Sequence, residues 1–245
     1  DTIRAVRTGK PATSANTSAW QQTDDIRQHM LYFLENHDEQ RIASTFFAGE
    51  ARRGVPAMMA SMLMQQNPFM LYFGEEYGER GMDHEGFSGC DGRTTIFDYW
   101  SIDTLCRAAS RKLTADEKLV YAQHEQTMQI ARREKAISEG TFFDLMYVNP
   151  HLHRQYAFLR HIGHDLLLVV VNFEDHEVDV DVNLPKHAFD FLQVASGEYV
   201  ATELWSKTKT NIDLQPDKAV RLQVGANGGV VMKMKVTVSE NHKTM

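Results

Sequence analysis

Cysteine is scarce in this 245-residue sequence, which contains only Cys90 and Cys106. Two cysteines are too few for a disulfide framework, and these two lack the spacing of metal ligands. We interpret both as free thiols. Free thiols favour a reducing compartment such as the cytoplasm, but they do not establish the localisation.

Long apolar runs are also lacking, because no stretch approaches the roughly 20 consecutive apolar residues that a membrane-spanning helix needs. No secretory signal peptide is visible at the start, where the sequence begins with Asp1 rather than with methionine. A processed protein and an excised fragment would both begin in this way. We expect no membrane partner.

Positive charge is in deficit, with 26 lysine and arginine residues against 33 aspartate and glutamate residues and a formal net charge of −7. A nucleic-acid-binding protein usually has a basic excess or a basic stripe. The densest basic cluster is Arg132, Arg133 and Lys135, which Glu134 interrupts, and we interpret it as the solvated face of a helix. We therefore expect no nucleic-acid partner.

The sequence does contain enough apolar residues, 42% of the chain, for one large domain or two modest ones. A polar loop composition over residues 1–29 precedes a continuous apolar run, residues 30–35, which predicts a strand buried on both faces. Apolar residues at three- and four-residue spacing from Val55 to Leu63 predict a helix. Residues 69–73 predict a second strand.

A long helix follows an irregular, glycine-rich loop. Thr114 and Glu117 have the spacing of a capping box, which predicts the start of a helix over residues 114–137. Strands that alternate with helices are typical of an α/β fold. We therefore predict an α/β domain over residues 1–144.

The pattern changes after about residue 141, where short β-type runs replace the helices. In one of them Val178, Val180 and Val182 alternate with acidic residues, as in a strand with one face in water. Several such runs separated by turns predict an antiparallel β-sandwich. We place this all-β domain at residues 145–245.

The main chemical signal lies at the end of the first predicted strand, where Asn36, His37 and Asp38 follow the apolar run. In parallel α/β proteins, functional side chains lie at the carboxyl ends of strands. An aspartate at such a place can stabilise a developing positive charge, and a histidine beside it can hydrogen-bond a hydroxyl group. The residues therefore predict a catalytic or binding site at this strand end.

Two other chemistries use the same residue types. A metal phosphohydrolase needs further histidine and aspartate ligands on a largely helical fold, which the β-rich second half disfavours. A Ser-His-Asp triad needs a serine on a sharp strand-to-helix turn. The nearest phrase, GFSGC at residues 86–90, follows no predicted strand, so we reject the triad.

The phrases FLENHDEQR (residues 33–41) and NPFMLYFGEEYGE (residues 67–79), with a helix between them, resemble the last barrel strands of the α-amylase family of glycoside hydrolases. The long helix over residues 114–137 resembles the final barrel helix of that family. The phrase that begins YAFLRHI, at residue 156, resembles the start of its C-terminal β-sandwich. The resemblance implies the C-terminal portion of a (β/α)8 TIM barrel followed by an antiparallel β-sandwich.

The resemblance also implies roles for individual residues. Asp38 corresponds to the catalytic carboxylate that stabilises the transition state, and His37 to a catalytic and substrate-binding residue that hydrogen-bonds sugar hydroxyls. Asn36 belongs to the same motif in a supporting, substrate-binding role. We also predict that Arg93 lines a sugar subsite, whereas Glu75 and Glu76 are mainly structural.

Two catalytic groups of the family have no counterpart in the sequence. Retaining glycoside hydrolysis needs a nucleophile and an acid/base about 5 Å apart. The resemblance places both on strands upstream of Asn36, but residues 1–29 contain no strand-like run. We expect this chain to lack both groups. The calcium site of the family also lies upstream, so we expect no metal and no cofactor in this chain, whereas an intact parent enzyme can hold calcium.

Three interpretations of function remain open. The first is that the chain is part of a retaining α-glucan-active hydrolase that cleaves starch or maltooligosaccharides. On this interpretation the chain is inactive alone, and its partners are an α-glucan and the missing N-terminal half of the barrel. The second is a transglycosylase of the same family, which uses the same residues. The third is a non-catalytic fragment that binds carbohydrate or another subunit.

Overall fold

The computed structural model describes residues 29–81 and 90–239, except for the side chains of residues 99–101. The predicted loop over residues 1–29 therefore lies outside the described residues but for its last position.

The described residues divide into two compact units. The first comprises residues 29–62 and 67–129, and the second comprises residues 63–66 and 130–239. The boundary between residues 144 and 145 that the sequence indicates stays a prediction.

The first unit contains the predicted strand–helix–strand order. Strand β1 (Tyr32–Phe33) pairs in parallel with strand β2 (Phe69–Met70), and helix α1 (Val55–Leu63) comes between them in the chain. Parallel strands joined through a helix are the repeating unit of a (β/α)8 barrel.

Both strands are shorter than the sequence indicates, and the first is also more exposed. The prediction that the first strand is buried on both faces is wrong, because Leu31 is 51% exposed and Phe33 is 41% exposed. Among the described residues, β1 has β2 as its one hydrogen-bonded neighbour. Its apolar side chains therefore lack the cover that a central parallel strand receives.

Helix α1 is confirmed, and it is buried on more than one face. Val55, Met58, Met59 and Leu63 are fully buried, and the small residue Ala60 is buried as well. A helix that is apolar all round belongs in a core. Methionine side chains are flexible enough to fill irregular space there, so no cofactor is needed to explain them.

Two further helices follow, α2 (Asp103–Ala109) in the first unit and α3 (Ala115–Arg133), whose last four residues belong to the second unit. The predicted capping box of α3 is present, because the N–H of Thr114 donates to the Glu117 carboxylate at 2.8 Å and the N–H of Glu117 donates to Thr114 Oγ1 at 3.2 Å. The helix ends earlier than predicted, since Glu134 is extended with φ −90° and ψ 105°. A short helix, α4 (Lys135–Ser138), comes next.

The second unit is an antiparallel β-sandwich, as predicted. Its strands are β3 (Thr141–Asp144), β4 (Gln155–Ile162), β5 (Asp165–Asn172), β6 (Val178–Asn183), β7 (Gly197–Glu203), β8 (Lys209–Leu214), β9 (Ala219–Val224) and β10 (Gly228–Lys235). One sheet has the order β3–β4–β5–β10–β7–β8, and the other pairs β6 with β9. Helix α5 (Lys186–Leu192) connects β6 to β7.

Strand β6 confirms the predicted alternation. Val180 and Val182 are buried, whereas Asp179 and Asp181 are exposed. Period-two burial of this kind lets one face of the strand pack in the core while the other stays in water.

Across the part of the chain that the structure describes, no helix has both the length and the apolar character that crossing a membrane requires.

Candidate active site

The chain turns sharply soon after strand β1, and the side chain of Asn36 stabilises the turn. Its Oδ1 accepts hydrogen bonds from the backbone N–H groups of Asp38, at 2.8 Å, and of Glu39, at 2.9 Å. Asparagine commonly mimics a backbone turn in this way. The predicted substrate-binding role of Asn36 stays a prediction, and its side-chain oxygen has this structural task.

The turn presents His37 and Asp38 side by side to solvent. Their side chains are 61% and 75% exposed, and His37 Nε2 lies 3.4 Å from Asp38 Oδ2. The structure thus brings the two predicted catalytic residues together on an accessible surface. An exposed carboxylate beside an imidazole offers a ligand one negative charge and one ring nitrogen that can donate or accept.

A buried ion pair anchors this exposed turn. Glu35 precedes the turn and Arg41 follows it, and their side chains are 2% and 0% exposed. Arg41 Nη1 donates to Glu35 Oε2 at 2.8 Å, and the N–H of Ile42 donates to the other carboxylate oxygen at 2.5 Å. Burial raises the pKa of Glu35, and the Arg41 guanidinium opposes that shift. The two ends of the turn are therefore tied together within the core.

The Arg41 guanidinium also holds two other segments of the first unit. Its Nη2 donates to the carbonyl oxygen of Phe73 at 2.8 Å, and its Nε donates to Thr94 Oγ1 at 3.2 Å. The guanidinium carbon lies 4.5 Å from the centre of the Tyr72 ring, and the Tyr72 hydroxyl donates to the Thr94 carbonyl at 2.7 Å. The segment after β2 and the loop around Thr94 are thereby fixed to the residue that follows the His37–Asp38 turn.

Glu75 and Glu76 shape the chain after strand β2. Glu75 Oε2 accepts from the N–H of Tyr72 at 3.2 Å, and Glu76 Oε2 accepts from the N–H of Gly74 at 3.1 Å. Gly74 has φ +88°, a left-handed conformation that glycine adopts without strain. These contacts agree with the predicted structural role of both glutamates.

Arg93 belongs to the same neighbourhood through the backbone. The N–H of Arg41 donates to the carbonyl oxygen of Gly92 at 2.7 Å, which places the residue before Arg93 beside the Arg41 segment. The Arg93 side chain itself contacts Asp91, with Nη1 2.9 Å from Oδ2. Its predicted role in a sugar subsite stays a prediction.

Arg41 was not predicted from the sequence, although its guanidinium contacts Glu35, Phe73 and Thr94 and is the centre of a polar cluster formed by these residues. Sequence analysis also missed Glu79, a buried residue whose Oε2 accepts from Thr104 Oγ1 at 2.5 Å and whose Oε1 accepts from the N–H of Gly81 at 3.0 Å. One signal was present in the sequence, because Glu35 and Arg41 bracket the motif as opposite charges directly after an apolar run.

Among the described residues, one group has the geometry to hold a metal ion, namely Glu174, Asp175 and His176 in the turn after β5. Glu174 Oε2 lies 3.4 Å from Nη1 of Arg154, and His176 Nδ1 lies 3.1 Å from Asp175 Oδ1. These groups already form surface ion pairs, and exposed acidic groups are common without a metal. We assign no metal there.

Comparisons with known proteins place this geometry in context. No protein-family model and no curated protein sequence matches the chain. Solved structures do match it. The maltogenic α-amylase AmyB of Thermotoga neapolitana has a TM-score of 0.61 and 15% identity, with 96% of this chain and 49% of that chain covered.

Two further structures match in the same way. A variant of AmyP in complex with maltotriose has a TM-score of 0.61 and 14% identity, with 97% of this chain and 50% of that chain covered. The trehalose-6-phosphate hydrolase of Bacillus licheniformis has a TM-score of 0.54 and 18% identity, with 83% and 43% covered. The chain thus spans about half the length of the first two structures and less than half of the third.

These matches confirm the resemblance at the level of the fold. The chain has the fold of the C-terminal part of α-amylase-type glycoside hydrolases, in which an antiparallel β-sandwich follows an α/β segment.

Proposed function

We propose that the chain is the C-terminal part of a retaining α-glucan-active glycoside hydrolase that cleaves starch or maltooligosaccharides. The observation that carries the proposal is the exposed His37–Asp38 pair, held after a parallel strand by the buried Glu35–Arg41 ion pair. Its support is a fold shared with α-glucan-active enzymes, one of them solved with maltotriose bound.

Within this proposal, Asp38 supplies negative charge where the sugar ring becomes positively charged. The transition state of glycoside cleavage resembles an oxocarbenium ion, and a fixed carboxylate stabilises it electrostatically. His37 hydrogen-bonds a sugar hydroxyl in the cleavage subsite, and Arg93 lines a neighbouring subsite. Asn36 fixes the turn that carries both groups.

The remaining chemistry comes from upstream barrel strands. A retaining mechanism needs a nucleophile and an acid/base about 5–5.5 Å apart on either side of the scissile bond. We propose that both groups, and any calcium site, belong to a longer enzyme that includes this chain. Transglycosylation uses the same groups with a sugar in place of water as the acceptor, so it remains the alternative within the same family.

A non-catalytic binding fragment is the second candidate, and one observation favours it. Met30, Leu31 and Phe33 around strand β1 are exposed apolar residues, as expected of a surface that another subunit covers. The presence of two upstream strands that end in an aspartate and a glutamate would favour the enzyme over the binding fragment.

The test is Asp38→Asn in an enzyme that contains this chain and the upstream strands. We expect starch turnover to fall by about 10²–10³-fold, because one preorganised electrostatic group is lost while the fold is kept. Glu39→Gln, which neutralises the exposed neighbour, is the matched control and should leave turnover nearly unchanged. Near-normal turnover by folded Asp38→Asn would contradict the proposal.

A further inference from the structure

A small cavity with both polar and apolar lining residues lies beside Glu35, within the first unit. It has a volume of about 10 Å³, and its lining includes Glu35, Glu75 and His124 together with apolar atoms of Ile42 and Met58. A cavity of this size accommodates about one water molecule when polar groups line it.

Two buried polar atoms of the lining residues have no hydrogen-bond partner in the described part of the chain. They are Glu75 Oε1 and His124 Nε2. The other polar atom of each side chain is engaged, because Glu75 Oε2 accepts from the N–H of Tyr72 and His124 Nδ1 lies 2.9 Å from the Val120 carbonyl oxygen. Buried polar atoms are nearly always paired with protein or with ordered water.

The protonation states make these two atoms complementary. A carbonyl oxygen only accepts, so Nδ1 of His124 carries the hydrogen, and Nε2 of the neutral ring is an acceptor. Burial lowers the pKa of His124, which keeps the ring neutral. Burial, and then the charge of Glu35, raises the pKa of Glu75 to about 8, so its carboxyl group is protonated at neutral pH.

We propose that one water molecule in this cavity accepts a hydrogen bond from Glu75 Oε1 and donates one to His124 Nε2, which makes the cavity a buried proton-sharing site. When Glu75 loses its proton, the site loses its donor and places a second carboxylate beside Glu35. The site is therefore a pH-sensitive element within the polar cluster that holds the His37–Asp38 turn. Among the described residues, the charged groups that act on the pKa of Glu75 are Glu35 and Arg41, from the segment after β1, and Glu76, from the segment after β2. The N–H of Tyr72 donates to the Glu75 carboxylate, and Glu79 acts in turn on the pKa of Glu35.

A high-resolution crystal structure of the full chain at neutral pH tests the water directly. We expect one ordered water within about 2.6–3.2 Å of both Glu75 Oε1 and His124 Nε2. Nitrogen chemical shifts of His124 should show hydrogen on Nδ1 and none on Nε2. An empty cavity, or a ring with its hydrogen on Nε2, would overturn the proposal.

Unfolding measurements between pH 5 and pH 8 test whether Glu75 is protonated in the folded chain. A group that is protonated only when folded raises the unfolding equilibrium constant about tenfold for each pH unit in this window. Glu75→Gln keeps the shape and a donor, so it should remove this part of the slope. Glu125→Gln, at the exposed neighbour of His124, should leave the slope as it is in the unmodified chain.

A double-mutant cycle tests whether Glu75 and His124 are coupled through the water. His124→Leu removes the acceptor, and its effect should be smaller in a Glu75→Leu background, which lacks the donor, than in the unmodified chain, because in the unmodified chain the two residues act through one shared water. Additive effects, together with an unchanged slope in Glu75→Gln, would refute the proton-sharing site.

Discussion

Arg41→Met is the substitution that tests the architecture beneath the proposed site. The guanidinium is fully buried and pairs with Glu35, whose side chain is 2% exposed. Methionine keeps much of the volume but leaves the Glu35 carboxylate without a counter-charge. Removing one partner of a buried ion pair costs about 3–5 kcal/mol, a large part of the roughly 5–15 kcal/mol that stabilises a typical domain. We expect a loss of this size in urea unfolding at neutral pH, followed by circular dichroism.

The dependence on pH separates a stranded charge from lost packing. Burial raises the pKa of Glu35 in the folded chain above its value in the unfolded chain. The folded state therefore binds the Glu35 proton more tightly, and this contribution to the free energy of unfolding is present at low pH and is lost as the pH rises. Without Arg41 the pKa is higher still, and Arg41→Met should therefore cost less at pH 5 than at pH 8. Adding Glu35→Gln should recover part of the loss at pH 8, because the buried Glu35 carboxylate is then no longer left without its counter-charge.

Arg53→Met is the matched control in the same unit. Arg53 lies 3.9 Å from Glu50 in an exposed ion pair, and such pairs are worth about 0–1 kcal/mol. If Arg41→Met costs no more than Arg53→Met, or if the double variant is as unstable as Arg41→Met at both pH values, the ion pair does not anchor the turn.

Two further predictions concern activity. In an enzyme with the upstream strands, His37→Asn should weaken the binding of a transition-state mimic more than it weakens the binding of substrate. Equal losses of affinity for the two ligands, measured in inhibition and binding assays, would indicate that His37 binds the ground state alone. Residues 1–245 purified alone should produce no reducing sugar from starch; turnover that disappears in Asp38→Ala would show that the nucleophile and the acid/base do not come from elsewhere.

Hydrophobic periodicity predicted the long elements and failed on the short ones. Helix α1 and strand β6 have regularly spaced apolar positions that the sequence displays, whereas the start of α3 was predicted from its capping box. Strand β3 has only four residues, and β8 begins with three exposed polar residues, Lys209, Thr210 and Asn211, so neither shows a clear alternation. Helix α5 is seven residues long, which is too short for a 3.6-residue period to be distinguished.

The candidate site was predictable where it is local and unpredictable where it is not. Asn36, His37 and Asp38 are adjacent in sequence, so one phrase contains all three. Arg41 contacts Phe73 and Thr94, which are 32 and 53 positions further along the chain, and only the folded chain reveals that these segments meet there. The predicted burial of strand β1 was wrong for a similar reason, because the burial of a strand depends on its neighbours in the sheet rather than on its own composition.

The exposure of Asp38 sets a condition on how it can work. Two unit charges 4 Å apart interact by only about 1 kcal/mol in water, whereas a preorganised group at an active site contributes about 2.7–4 kcal/mol. At 75% exposure, the Asp38 side chain is in the aqueous regime. Its charge becomes effective only when other atoms exclude water from the turn. The buried Glu35–Arg41 pair anchors the turn that carries Asp38, but the Asp38 carboxylate itself stays exposed to water. The proposed mechanism therefore requires bound α-glucan, or the upstream barrel strands, to cover His37 and Asp38 before the charge can stabilise a transition state.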